Sequence, residues 1–126
     1  MSAEQQARAW EPELDRYSRQ MLFAPVGVDG QRRLGGSRAV LIGVGALGTH
    51  QADALVRAGV GFLRIVDRDF IEPNNLQRQT LFDEQDIADN LPKAEAARRK
   101  LARVNSAVAV EAVVADANFA NIESLA

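Results

Sequence analysis

A glycine turn set between two apolar runs constrains this chain more than any other feature. Val40-Leu41-Ile42 is short, apolar and rich in branched side chains, and it leads straight into Gly43-Val44-Gly45-Ala46-Leu47-Gly48. A second apolar run, residues 62–66, ends at Asp67, roughly 20 residues after the last glycine. The layout is strand, tight turn, helix, strand and terminal acid, which predicts half of a dinucleotide-type α/β fold. Pyrophosphate approaches a backbone only where no Cβ stands in the way and several N–H groups point outward, and glycines supply both conditions. Gly43 permits a sharp exit from the strand, Gly45 lets the main chain touch a phosphate, and Gly48 lets the next helix lie close to the sheet. The positive end of that helix adds roughly 0.3 to 1 kcal/mol per exposed anionic contact.

The rest of the chain fits one such core. Its 126 residues are 47% hydrophobic and 25% charged, the composition of a globular sequence with at most one domain. With 15 basic and 17 acidic side chains the net charge is -2, so the basic field that nucleic acid binding demands is missing. No run approaches the roughly 18 apolar residues that span a bilayer, and residues 1–19 are polar without a signal-peptide core. A cytoplasmic protein with no membrane or nucleic acid partner is expected. Cysteine is absent, which excludes a disulfide scaffold, a thiolate zinc site or a cysteine nucleophile within these residues. His50, the single histidine, falls within the helix after the glycine turn and is given no role.

Along the chain, Leu14, Tyr17 and Met21 recur at helical spacing after Pro12, on a short helix carrying Arg16 and Arg19. Pro25 and Gly27 break it, and Asp29 is expected to cap a second short helix that Gly35-Gly36 ends. Strand 38–42 follows, then helix 47–58 with Gly48, Ala52, Leu55, Val56 and Gly59 on one face, then strand 62–67. Residues 68–92 are a long polar connection of the kind kept for binding, with a helical turn at 84–87. Helix 93–104 starts after Pro92 and buries Ala94, Ala97, Leu101 and Val104; strand 107–115 and the start of a helix over 118–125 complete the chain. The fold class is α/β, a Rossmann-like doubly wound, mainly parallel sheet preceded by N-terminal helices. Residues 1–36 read as a helical arm, and 37–126 as a Rossmann-like unit that stops before its fourth strand. In the order 3-2-1-4 the first strand is central and covered on both faces, as its unbroken apolar run implies.

Five linked motifs then stand in a telling order: Arg16-Tyr17-Ser18-Arg19-Gln20, Gly43 to Gly48, Asp67-Arg68-Asp69, Asn75-Leu76-Gln77-Arg78-Gln79 and Leu91-Pro92-Lys93. In order and spacing they resemble the ThiF/MoeB/HesA family, bacterial relatives of ubiquitin-activating enzymes that adenylylate the C-terminal glycine of small ubiquitin-like sulfur carriers. The resemblance implies an adenylyltransferase using ATP and Mg2+, with a ubiquitin-like sulfur-carrier protein as partner and a homodimer as the working form. It implies catalytic roles for Arg19, Arg78 and Lys93. Nucleotide contacts fall to Gly43, Gly45, Gly48, Asp67, Asp69, Asn75, Arg78 and Lys93. The residues agree with such a site. An acyl adenylate forms when a carboxylate attacks the α-phosphorus of ATP, so cations are needed at several angles. Asp67 can take the ribose hydroxyls; Asn75 and Arg78 are expected to leave their loop toward the phosphates, Arg78 with a planar fork. Lys93 places a point charge at a helix start, and Asp69 either orders the loop or stands near the reacting groups. The resemblance further implies that Arg19 crosses the dimer interface to the partner's site.

Two departures stand out. Residues 86–93 lack the Gly that often precedes the family's Pro-Lys and run a couple of residues longer. The family's magnesium aspartate, its Cys-x-x-Cys zinc pairs and its substrate loop would fall beyond Ala126, so this chain is expected to supply the nucleotide half of a longer parent. The rival readings are an NAD-dependent oxidoreductase, which the Asn75 to Gln79 loop and Lys93 do not serve; a related tRNA-modifying dehydratase; and a non-catalytic nucleotide-binding or dimerisation module.

Overall fold

The computed structural model describes residues 11–126, so the first ten residues of the arm assigned to 1–36 lie outside the described residues. The arm opens with a 3-10 turn, Pro12–Tyr17, with proline at the helix start where its missing N–H costs nothing. It runs into α1, Ser18–Met21, and after the Pro25 break into α2, Gly27–Gly35. The cap expected at Asp29 is corrected. The helix starts three residues earlier, capped by Val26, and Asp29 lies inside the first turn, where its charge suits the positive helix end.

The sheet is built from β1, Arg38–Ile42, β2, Phe62–Val66, and β3, Ala109–Val113, all parallel in the order β1-β2-β3. Helix α3, Ala46–Ala58, makes the first crossover; α4, Glu84–Ala88, and α5, Lys93–Val104, lie in the second, and α6, Ile122–Leu125, follows β3. β1 covers the expected residues, whereas β2 and β3 are shorter than expected. Asp67 has left the sheet to bind the turns around it, and Val108 is still in a turn, its N–H donating to Asn105 O at 3.3 Å.

Register explains which side chains are buried. Ala39 and Leu41 align with Leu63 and Ile65, and these with Val110 and Ala112, so one face of the sheet is apolar throughout. It packs against Val44, Ala52 and Val56 on the α3 side and Ala94, Ala97 and Leu101 on the α5 side. Leu63, Ile65 and Leu101 are fully buried, each contributing roughly 1.5 to 3 kcal/mol. The opposite face carries Arg38 stacked 4.0 Å from the Phe62 ring centre and Arg64 paired with Glu111 at 3.3 Å. This face is met by the short α6, where Arg64 donates to Leu125 O at 2.7 Å. The double cover expected for β1 is not present among the described residues, and Ile42 is half exposed. No helix among the described residues is long and apolar enough to cross a membrane.

Candidate functional site

The site lies where the three strands end. Gly43 turns the chain off β1 with φ +89, in the left-handed region, and its N–H donates to Val66 O of β2 at 2.8 Å. Gly48 lies so close beneath that an added Cβ would sit 2.1 Å from Gly43 O, which no side chain could survive. This contact seats the start of α3 directly above the strand end. Gly45 occupies the cap position with no side-chain cap, and the first turn has no acidic residue. The outward N–H groups of a 13-residue helix are left for an anion.

Asp67 joins two loops. Its Oδ2 accepts from Val44 N at 2.9 Å and its Oδ1 from Asp69 N at 2.8 Å, while its own N–H donates to Val113 O. Each carboxylate oxygen keeps a second lone pair for another donor. The loop it begins is pinned to α5, since Asp69 O accepts from Lys93 N at 2.9 Å and Phe70 bridges to Pro92. Between them opens a cleft of about 510 Å³ lined by Arg68, Asp69, Phe70, Glu72, Asn75 and Lys93. A recess of about 170 Å³ shares Arg68 and Asp69 and reaches Gly43, Asp67 and Asp116. The two form one groove along the strand ends, where ligands of open α/β sheets sit.

Lys93 is 8% exposed, and its ammonium has no ion-pair or hydrogen-bond partner among the described residues. The neighbouring cations are already answered. Glu95 binds Arg98 and Arg99 at 2.5 and 3.0 Å, and the Arg98 hydrogen bond above all holds its carboxyl down at about 2. Asp86, by contrast, is pushed up by burial on α4.

The structure gathers Gly43, Gly45, Gly48, Asp67, Asp69, Asn75 and Lys93 at this end, but two of the expected groups behave differently. Asn75 does not leave its loop. It is buried, its Oδ1 accepting from Glu72 N at 2.9 Å and its Nδ2 donating to Asn74 Oδ1, so it caps the 3-10 turn Pro73–Asn75 while forming a cleft wall. Arg78 is exposed and donates to Asn74 O at 2.9 Å, outside the cleft lining. Arg19 is exposed, without a partner among the described residues, on an arm docked at the other end of the sheet. Arg68 and Gln79 stand in the sequence motifs without an assigned role, and Glu72 and Asp116 fall outside them. Arg68 and Asp116 form a 3.5 Å pair across the recess, and their positions just after β2 and β3 were the available signal.

Residues 17–126 match the ThiF family. The sulfur carrier protein ThiS adenylyltransferase of Bacillus subtilis (strain 168) is 54% identical over 110 residues, 87% of this chain and 33% of that protein. The molybdopterin-synthase adenylyltransferase of Escherichia coli (strain K12) is 38% identical over 113 residues, 90% of this chain and 45% of that one. Among solved structures, E. coli MccB with ATP superposes with a TM-score of 0.76 at 30% identity, over 88% of this chain and 34% of that chain. PaaA gives 0.81 at 33%, over 94% and 42%. The chain thus spans about a third of the length of the first of these relatives. With the glycine turn, its acid and the Pro-Lys helix start all inside the matched residues, the chain belongs to the ThiF family.

Proposed function

We propose that this chain is the nucleotide-binding portion of an adenylyltransferase that activates the C-terminal glycine of a small ubiquitin-like sulfur-carrier protein. In this reading residues 1–36 are an arm and 37–126 the first part of a Rossmann-like unit. One observation carries it: Asp67 and Lys93, whose ammonium has no partner among the described residues, line two adjoining hollows at the strand ends, beside the uncapped start of α3. The names of similar proteins, sulfur carrier adenylyltransferases among them, supply the reaction class.

A carboxylate oxygen of the carrier attacks the α-phosphorus of ATP. The bond from that phosphorus to pyrophosphate breaks, and pyrophosphate leaves with the electron pair. The contribution of this chain is electrostatic and positional. Asp67 offers its free lone pairs to the ribose hydroxyls, and Gly45 with the first N–H groups of α3 faces the phosphates. Lys93 adds a point charge beside them. Arg78, released from Asn74 O, adds a planar fork, and Asn75 holds the loop in shape. Asp69 stands on the cleft wall toward the reacting end. Magnesium would accompany ATP, held mainly by phosphate oxygens. Among the described residues no group of three His, Cys, Asp or Glu side chains could hold a metal ion, and the chain has no cysteine for zinc, so no step is assigned to a metal here.

The proposed working form is a cytoplasmic homodimer in which Arg19 completes the partner's phosphate site. Leu22 and Phe23, 44% and 64% exposed beside Arg19, offer apolar surface for such a contact. Calorimetric titration of the intact protein should show ATP with magnesium binding more tightly than NAD, because Lys93 and Arg78 favour a triphosphate. Tighter binding of NAD would overturn the reading in favour of a dehydrogenase.

A further inference from the structure

The arm is fastened to the body through a small cluster of polar side chains centred on Asn105. Asn105 caps the C-terminal end of α5 and is 2% exposed. Its Nδ2 donates to Tyr17 Oη at 2.8 Å and to Val56 O at 3.0 Å, while its Oδ1 accepts from the Arg16 guanidinium and from Ala107 N at 3.1 Å. Both of its N–H donors and both of its oxygen lone pairs are used. One turn further along, Gln20 and Gln31 donate to Ala58 O at 2.8 and 2.9 Å, and Gln20 also pairs with Gln31 Oε1. The Tyr17 ring lies on bare backbone, since a Cβ on Gly59 would sit 2.6 Å from Tyr17 Cζ.

This clip holds residues 16, 17 and 20, and the arginine between them is left exposed and unpaired among the described residues. It also sits at the wrong end of the fold for its own site. Tyr17 and Gln20 grip the C-terminal end of α3, while the glycine turn is at the N-terminal end of the same 13-residue helix, roughly 20 Å away. No step of the proposed reaction uses Asn105, Tyr17 or Gln20.

We infer that Asn105, with Tyr17 and Gln20, is a positioning device that presents Arg19 to the phosphate site of a second copy of this chain. The inference rests on the reading under which Arg19 serves its partner. A cation fixed in advance keeps more of its attraction for phosphate than one that must be ordered on binding. The clip therefore acts on the neighbour's site and leaves the groove of its own subunit intact.

The test is nucleotide affinity in the intact protein, with ATP and magnesium as the probe and two affinity tags to isolate mixed dimers. As homodimers, Arg19→Ala, Lys93→Ala and Asn105→Ala should each bind ATP about tenfold more weakly, and Tyr17→Phe, which removes only a hydroxyl, about threefold. Unchanged affinity in both Asn105→Ala and Tyr17→Phe overturns the clip. The mixed dimer of Arg19→Ala with Lys93→Ala should regain one tight site; without it the trans role of Arg19 fails, and this inference with it. Where that site returns, the mixed dimer of Asn105→Ala with Lys93→Ala decides. It should also regain one tight site, built from the groove of the Asn105→Ala subunit and the clipped Arg19 of the other. Asn105→Ala with Arg19→Ala should regain none. A purely structural defect would stay with the mutated subunit's own groove and give no recovery in the first pair, overturning the clip, as would recovery in the second. If Asn105→Ala does not fold, the same pairs made with Tyr17→Phe decide at its threefold scale.

Discussion

The two ends of the sheet are both polar, yet they are finished in opposite ways. Where the strands begin, Asn105 uses every hydrogen-bonding capacity it has, and Ala58 O takes two amide donors. Where the strands finish, groups are left over. The Lys93 ammonium has no partner among the described residues, α3 starts without a side-chain cap, and Gln79 Oε1 is buried with no donor. Gln79 also lies under the turn, its Nε2 3.8 Å from where a Gly45 Cβ would be. Leaving a buried polar group unpaired costs roughly 1 to 3 kcal/mol, so a fold tolerates it best where a ligand supplies the partner. Among the described residues Arg64 Nε is the other such atom, placed in mid-sheet at neither end. Closure marks the joint that holds the molecule together, and incompleteness marks the place where something else is expected.

The contrast can be broken first at its glycines. Gly48→Ala forces a Cβ against Gly43 O and should lower stability by about 3 kcal/mol, read as a fall in the urea midpoint. Gly35→Ala, at the arm end with nothing within 4 Å of the new Cβ, should be neutral or slightly stabilising. Equal losses would mean that the turn is no more tightly built than the arm. Next comes charge. Lys93→Ala should weaken ATP binding about tenfold, the lower end of the range for one charged hydrogen bond, whereas Arg99→Ala, whose partner is Glu95, should hardly change it. Similar effects from the two would show that the cleft reads only the general field of α5.

The smallest effect sharpens the same point, because Glu95 belongs to a group that is already satisfied. Its carboxyl is held at about 2 when folded against 4.5 ordinarily, so its stabilisation is complete above pH 4.5 and is lost as pH falls through 2. Arg98 and Arg99 are 38% and 52% exposed, which limits the contribution to about 0.5 to 1 kcal/mol. Thermal melts of Glu95→Gln should show that deficit at pH 7 and a closing gap between pH 4.5 and pH 2. A deficit independent of pH would assign Glu95 to packing instead.

Local chemistry made much of this legible. The apolar runs, the glycine spacing and Pro92 located β1, β2, α3 and the start of α5, because each signal lies within a few residues of its effect. What the local signals did not reveal falls into two kinds, a side chain with distant partners and side chains that choose among near ones. Asn105 meets Tyr17 and Arg16 across almost the whole chain, and its place after Val104 reads locally as an ordinary helix end. Asn75 was expected to face outward; its side chain instead completes a capping box with Glu72, a choice made by three neighbouring residues and a proline-led turn. The resting place of Arg78 on Asn74 O has no sequence signature at all.

Helix α3 is clamped at both ends by bare backbone, with Gly48 pressed on Gly43 and Gly59 beneath Tyr17. The two glycines are eleven positions apart, about three whole turns, so both contacts lie on one side of the helix. Its length is thereby quantised. Removing or adding one residue would shift the far contact by about 1.5 Å and swing it through about 100°, detaching either the arm or the turn. Length variation should accordingly be absorbed in residues 68–92, where the connection to Lys93 spans no such clamp, while the count of residues between the two glycines stays fixed.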